Sequence, residues 1–344
     1  MTTGQRTAAW LLGATVLLMV SLLAGAMFGP AGPPPWRVPL AIIDRLPLIS
    51  IDSGVSDAQW NLIWTIRFPR VVLAALVGGM LSLGGASYQG VFRNPLVDPY
   101  LLGAAAGAGL GATIAILHLR DVTDWPVDPT PLLAFVLSLA TVAATYTVGA
   151  AFGGNRTGAT LVLAGVAMVS LTTAAQTYVL QRNSEVVREV YTWILGRLVN
   201  ASWADIRLVA PYVILTTVIL LFHARHLDLF RVGDDEAATL GAPVARIRLI
   251  VVMAATLGTA AVVSVSGLIG FVGLIVPHIV RLLAGASYRL VLPLSLLLGA
   301  SFLILVDILG RIAIAPSELP IGVVTAFIGA PFFIYLLRTK RVAV

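Results

Sequence analysis

Long apolar runs alternate with short polar segments along the whole chain, and each run has the length of one membrane-spanning helix. A helix needs roughly 20 apolar residues to cross the hydrocarbon of a bilayer. The pattern therefore predicts an all-α polytopic membrane protein, with residues 1–344 as a single transmembrane domain and ten spans. We place the spans at about 8–28, 62–84, 97–117, 131–151, 158–180, 206–224, 246–266, 268–285, 292–312 and 320–338.

Two polar connections are predicted to lie outside the bilayer on its outer side. Residues 29–61 are rich in proline and form an outer loop, with a short surface helix around 38–46. Residues 188–200 are amphipathic, but they are too short and too charged to cross a membrane, so we expect them at the outer surface.

The most polar stretch of the chain, residues 225–248, is called the charged segment here; it holds four arginines, four acids and a histidine. Within it, residues 234–241 are predicted to form a short helix, because Asp234, Asp235 and Glu236 fit a first turn and Gly241 a helix end. Two interpretations remain open. The segment is a solvated loop between two spans, or it is a docking knob for a soluble partner.

Composition excludes several classes of protein. Hydrophobic residues make up 58% of the chain and charged residues only 11%, which leaves no room for a separate soluble domain. The net charge of +6 is spread thinly over loops, where basic residues orient helices rather than bind nucleic acid. The absence of cysteine rules out disulfides, iron–sulfur clusters and thiolate metal sites.

Charge counting predicts the orientation of the ten spans. With the N-terminus inside, twelve basic residues fall on the inner side and ten on the outer side. Cytoplasmic loops carry the excess of arginine and lysine in membrane proteins. We therefore expect both termini in the cytoplasm and an uncleaved first span rather than a signal peptide.

Several polar side chains near the spans are candidates for function. Arg67 and Arg70 flank a Phe-Pro pair at the outer mouth of the second span, where they either anchor the helix at the interface or contact an acidic external protein. Asp307 and Arg311 lie four apart on one helix face, so they can pair.

Two further patterns lie within the spans themselves. Glycines at 103, 107 and 111 recur every four residues, which is typical of close helix packing. Thr172 and Gln176 are polar positions on the fifth span, and either interhelical hydrogen bonds or the lining of a water-filled path explains them.

The chemistry that the sequence lacks narrows the function. No P-loop motif is present and the one lysine is Lys340, so a nucleotide, if used, is bound by another chain. No carboxylate stands at the middle of a span, which argues against ion coupling, although backbone carbonyls can also bind sodium. Three interpretations follow: a permease driven by a separate ATPase, an ion-coupled carrier or channel, and a structural membrane subunit.

Six segments in order resemble one family, the FecCD-type permeases of ABC importers for ferric siderophores, haem and cobalamin. They are RFPR at 67–70, YQGVFRNPLVDPYLLG at 88–103, LVLAGVA at 161–167, GDDEAATLG at 233–241, GLIGFVGLIVPHIVRLL at 267–283 and ELPIGVVTAFIGAPFFIYLL at 318–337. The resemblance implies a homodimer in a bacterial plasma membrane with a pathway along the dimer axis. It also implies two ATPase subunits inside, one substrate-binding protein outside, and alternating access driven by ATP.

The resemblance also implies roles for individual residues. The charged segment becomes a cytoplasmic ATPase-coupling loop, and this chain binds no cofactor, with ATP and Mg on the partner ATPase. The implied coupling residues are Asp234, Asp235, Glu236, Ala237, Leu240 and Gly241, where Asp235 replaces the common glutamate. The implied docking residues for the binding protein are Arg67, Arg70 and Arg311. The implied gate is Arg156, Thr157, Gly158, Ala159 and Thr160, although Gly158 and Ala159 replace the hydroxyl residues expected there, and Thr172 and Gln176 would line the pathway.

Overall fold

Helices account for nearly all of the regular structure in the computed structural model, which describes residues 3–29, 32–45, 51–119, 128–151 and 158–338. The first part of the chain forms α1 (Thr3–Met27), α2 (Arg37–Asp44), α3 (Asp57–Leu62), α4 (Phe68–Phe92), α5 (Ala104–His118), α6 (Pro129–Ala151) and α7 (Gly158–Arg182). The second part forms α8 (Val187–Ile194), α9 (Trp203–Phe222), α10 (Ala224–Phe230), α11 (Asp234–Thr239), α12 (Val244–Ser266), α13 (Val272–Ala284), α14 (Tyr288–Ile312) and α15 (Ile321–Arg338). No strand occurs within these ranges.

Each of the ten predicted apolar runs is a helix in the structure. Seven helices of the described chain have the length and apolarity needed to cross a membrane. The runs predicted at 97–117, 268–285 and 320–338 correspond to the shorter apolar helices Ala104–His118, Val272–Ala284 and Ile321–Leu336. The all-helical prediction is therefore confirmed, and a membrane-spanning role is supported for seven of the ten.

The core of the molecule is built around α4, which is buried along almost its whole length. It packs against α14, α12, α13 and α9, while α5, α6 and α7 form a neighbouring group that meets α12. In contrast, α1 and α9 keep wide exposed apolar faces, as expected for helices that contact lipid.

Glycines set the closest helix crossings. A methyl group added at Gly78 in α4 would collide with the carbonyl of Gly299 in α14, and one added at Gly85 would collide with Gly273 in α13. The predicted glycine stripe of α5 likewise allows a close helix crossing, since side chains at Gly107 or Gly111 would collide with the backbone of α6. Small residues at such crossings let two backbones approach without a hydrophobic driving force between helices.

The second span is longer than predicted. Its boundary was expected at residue 84, but helix continues from Asp57 to Phe92. Glycine weakens an isolated helix because it costs backbone entropy. At Gly84 and Gly85 the tight packing of α4 against its neighbours outweighs that cost.

The polar connections fold largely as predicted. The expected surface helix in the proline-rich loop is α2, and the amphipathic stretch after the fifth span contains α8. A turn joins the second and third spans. Arg93 ends α4 in the left-handed region at φ 51, and the Asp98 carboxylate accepts hydrogen bonds from the N–H groups of Tyr100 and Leu101 at 3.0 and 3.2 Å.

Candidate functional site

The predicted knob helix of the charged segment is present as α11, which is six residues long. Asp234, Asp235 and Glu236 occupy its first turn, where the helix dipole favours negative charge. The helix is flanked by Gly233 and Gly241, both with positive φ (126 and 85), which are backbone conformations that glycine adopts at no steric cost. Ala237 lies on the buried face of this helix, whereas Leu240, just after it, is 66% exposed.

Salt bridges fasten the knob helix to two of the core helices. The Arg248 guanidinium of α12 donates to the Asp234 carboxylate at 2.7 Å, and Arg248 is itself only 8% exposed. Arg93, in the turn after α4, lies 3.9 Å from the other oxygen of the same carboxylate. The knob helix is therefore joined to α12 and to the turn after α4.

The preceding helix, α10, is fastened to α14. The Asp228 carboxylate accepts hydrogen bonds from the Tyr288 N–H at 2.7 Å and from the Ser287 hydroxyl at 2.8 Å. Burial and the neighbouring His223 lower the pKa of His226, so this imidazole is neutral at pH 7. The charged segment thus contacts the ends of three core helices.

At the opposite end of the molecule lies a second charged group, called the arginine cluster here: Arg67, Arg70, Arg311, Asp307 and Glu318. The Arg67 guanidinium donates to the carbonyls of Ala26 and Met27 at 3.0 and 3.1 Å. The Arg311 guanidinium donates to those of Phe28 and Gly25 at 2.9 and 3.2 Å. Both arginines therefore satisfy the carbonyls left over at the C-terminal end of α1, where a helix favours positive charge.

Arg70 is held by two carboxylates of the cluster. Its Nε and Nη2 donate to Asp307 at 2.9 and 2.8 Å, and its Nη1 and Nη2 donate to Glu318 at 3.0 and 2.9 Å. Asp307 also pairs with Arg311 at 3.1 Å, which confirms the predicted pair four residues apart on α14.

The three arginines predicted to dock the binding protein are buried in the structure. Arg67, Arg70 and Arg311 are only 5%, 8% and 2% exposed. A charge inside a protein is costly unless it is paired, and these three guanidinium groups are paired within the chain. Their role in docking a partner stays a prediction.

The predicted pathway residues lie inside the helix packing. Gln176 of α7 is 8% exposed and donates from Nε2 to the Thr113 hydroxyl of α5 at 3.0 Å, and Thr172 is buried on the same face. The interhelical hydrogen bond is thus the better interpretation of Gln176. The open face of α7 instead carries the exposed hydroxyl residues Ser170, Thr173 and Thr177.

Residues of the predicted gate are only partly within the described chain. Arg156 and Thr157 lie outside the described residues. Gly158, Ala159 and Thr160 form the start of α7, and Thr160 is half-buried. The gate therefore stays a prediction. In the described ranges, no group of three or more histidine or acidic side chains is placed to hold a metal ion.

Comparison with known proteins decides the family. A sequence model of the FecCD transport family matches residues 11–339 of the chain.

The chain belongs to the FecCD transport family.

Its similarity to characterised members extends over nearly the whole length. The cobalamin import system permease protein BtuC of Halobacterium salinarum is 36% identical, over 98% of this chain and 98% of that protein. The hemin transport system permease protein HmuU of Yersinia pestis is 40% identical, over 84% of this chain and 87% of that protein. A solved metal-chelate type ABC transporter in an inward-facing conformation matches with a TM-score of 0.81 and 29% identity, over 96% and 98% of the two chains.

As a FecCD member, the chain is a permease subunit of the ABC-importer type. Sequence reasoning identified the knob helix and three of the arginines, but it missed Arg248, Arg93 and the pairing role of Glu318. Arg70 and Glu318 are 248 positions apart. No local pattern connects residues so far apart. An acidic residue immediately before an apolar span does, however, indicate that a basic side chain on another helix neutralises it.

Proposed function

We propose that this FecCD permease moves a metal chelate across a bacterial plasma membrane by alternating access, driven by ATP that a separate subunit hydrolyses. A ferric siderophore is the first choice of cargo, with haem and cobalamin next. The observation that carries the proposal is the knob helix, which presents three acids and the exposed Leu240 to a partner, in a chain with no P-loop of its own.

The working assembly in this proposal is a homodimer with two ATPases and one binding protein. Each subunit contributes ten spans with both termini in the cytoplasm, so the ATPases, with their ATP and Mg, meet the charged segment there. The binding protein docks at the arginine cluster on the other side. Affinity for cargo is supplied mainly by that protein, since the pathway needs only to release what it receives.

A second copy is expected to cover the apolar face of α15. Phe327 is 77% exposed there, and an apolar cavity of about 610 Å³ lies between this helix, Phe271 and the end of α8. The exposed hydroxyl row of α7 (Ser170, Thr173, Thr177) is then a candidate lining for the pathway between the two copies.

Force transmission follows from the salt bridges described above. When ATP draws the two ATPases together, they push α11, and the Asp234–Arg248 bond at 2.7 Å carries that push into α12. Because α12 packs directly on α4, and α4 on α14, the core helices move as a unit. The two subunits then rock about the pathway and expose it to one side at a time.

Reconstituted transport tests the proposal. The permease is reconstituted in lipid vesicles with and without its cognate ATPase. The binding protein and a radiolabelled ferric siderophore, haem or cobalamin are then added outside the vesicles. Uptake should require ATP and the ATPase, and should survive a proton or sodium ionophore. Uptake by the permease alone, or uptake that collapses with the ionophore, would contradict the proposal in favour of an ion-coupled carrier.

A further inference from the structure

A small cavity opens directly onto the arginine cluster. Its volume is about 150 Å³, and its wall includes Arg70, Asp307 and Glu318 together with Arg197 from the segment after α8. Arg70 thus lines this cavity although the residue is only 8% exposed. A charged group nine-tenths buried at the wall of a cavity is a built site for an opposite charge.

The two carboxylates that hold Arg70 differ in how firmly they are placed. The Asp307 side chain is 3% exposed and is shared with Arg311, so it is part of the fold. The Glu318 side chain is 22% exposed, and within the described chain its ion pair is with Arg70 alone. Glu318 also lies in the non-helical connection before α15 rather than on a helix. Glu318 is therefore the carboxylate that can move away from Arg70.

Arg197 adds positive charge to the same cavity. Its backbone is fixed by a hydrogen bond from its N–H to the Ser266 carbonyl at 2.7 Å. Among the residues that the structure describes, no carboxylate lies within ion-pair distance of its guanidinium. With Arg70 paired to Asp307 and Glu318, Arg197 is the charged side chain at this wall that lacks an anion among the described residues, and it attracts one.

We propose that Glu318 is an internal stand-in for a carboxylate of the binding protein, which enters this cavity, takes Arg70 from Glu318 and pairs with Arg197. The inference rests on the proposed function, because it needs a protein that docks at the arginine cluster. It adds that docking is an exchange of one carboxylate for another, so Glu318 competes with the partner for the same cation.

The exchange links docking to the start of α15. The backbone of Glu318 is joined to α15 through Leu319 and Pro320, and the Leu319 N–H donates to the Gly310 carbonyl at 3.0 Å. The Gly322 N–H, in the first turn of α15, donates to the Leu195 carbonyl beside Arg197 at 3.1 Å. Release of Glu318 removes the one salt bridge that fastens this connection to α4 in the described structure.

The test compares the affinity of detergent-solubilised permease variants for the purified binding protein encoded beside the permease gene. Glu318→Gln should bind about tenfold more tightly, because the variant keeps the size of the side chain but removes the charge that competes with the partner for Arg70. The matched control is Glu185→Gln, which removes the same charge from an exposed position near α8. Arg197→Gln should bind about tenfold more weakly, and thermal unfolding of all variants confirms that they are folded.

Two results would overturn the inference. One is Glu318→Gln binding that is unchanged or weaker than wild type; the other is an equal gain in Glu318→Gln and Glu185→Gln, which would mean a general charge effect. Arg197→Gln with wild-type affinity would remove the second cation from the site. If wild-type permease does not bind the protein at all, the proposed function fails first, and that outcome is separate from any difference among the variants.

Discussion

At the scale of single residues, Arg248 is the side chain whose loss should separate ATP hydrolysis from transport. Arg248→Gln leaves the knob helix on the surface but breaks its 2.7 Å bond to Asp234, so α11 can move without α12. We expect about a tenfold fall in cargo moved per ATP hydrolysed, since a charge-assisted hydrogen bond contributes about 1.5–3 kcal/mol. The measurement is uptake and phosphate release in the same vesicles.

The control for Arg248 is Arg207→Gln, which removes the same charge from an exposed position on α9. Its ratio of uptake to hydrolysis should equal that of the wild type. A wild-type ratio in Arg248→Gln as well would show that the salt bridge does not transmit the motion.

Leu240 is the residue of the knob helix that a partner must cover. Its side chain is 66% exposed, so Leu240→Ala should change the free energy of unfolding by less than about 0.5 kcal/mol. Association with the ATPase, measured by co-purification, should weaken at least severalfold because an exposed apolar anchor is lost. Ile314→Ala, an equally aliphatic and 49% exposed position at the opposite end, should leave that association unchanged.

Interactions between residues close in sequence could be predicted, whereas interactions between distant segments could not. The acidic first turn of α11 and the Asp307–Arg311 pair both follow from spacing along one helix. The burial of Arg67 is different, because its partners are the carbonyls of Ala26 and Met27, which become available only when α1 ends beside it. An arginine near a span end is typical of interface anchoring as well as of such a cap.

At the scale of helices, the crossing of α4 and α14 depends on having no side chain at Gly299. A methyl group there would meet Ser82 and the Gly78 carbonyl, so Gly299→Ala should push the two helices apart. Overpacking of this kind costs about 1–3 kcal/mol. Thermal unfolding in detergent, followed by tryptophan fluorescence, should show a lowered midpoint.

The matched control is Gly13→Ala in α1, where no atom lies within 4 Å of the added methyl group. Alanine favours helix over glycine by about 0.5–1 kcal/mol, so the midpoint should be unchanged or slightly raised. An equal loss in both variants would mean that helix packing is not the cause.

Helix positions were largely predictable, because apolar length and proline or glycine breaks are properties of each segment alone. The run at 131–151 and the helix α6 differ by two residues at most. The predicted end of the second span at residue 84 was wrong, because the helix continues through Gly84 and Gly85, where neighbouring helices pack closely against it. Short helices such as α13 were predicted as full spans because composition does not show where the chain turns within the apolar run.

At the scale of the whole molecule, the two charged ends should face opposite sides of the membrane. The chain has no cysteine, so single substitutions report accessibility without a background. Ala238→Cys, exposed on the knob helix, should react with a membrane-impermeant maleimide only from the cytoplasmic side. Asn200→Cys, exposed after α8, should react only from outside, and labelling of Ala238→Cys from outside would contradict the proposed coupling.

The capping of α1 by Arg67 and Arg311 has a consequence for how such importers diversify. These two side chains complete the end of a helix through four backbone carbonyls, so a substitution at either position would leave two of those carbonyls without that donor. In the proposed assembly, a binding protein that evolves toward a new cargo must therefore keep acidic contacts that fit the same two arginines. We expect one such permease to accept more than one binding protein. A cell could then import a new cargo after gaining a single gene for a soluble binding protein.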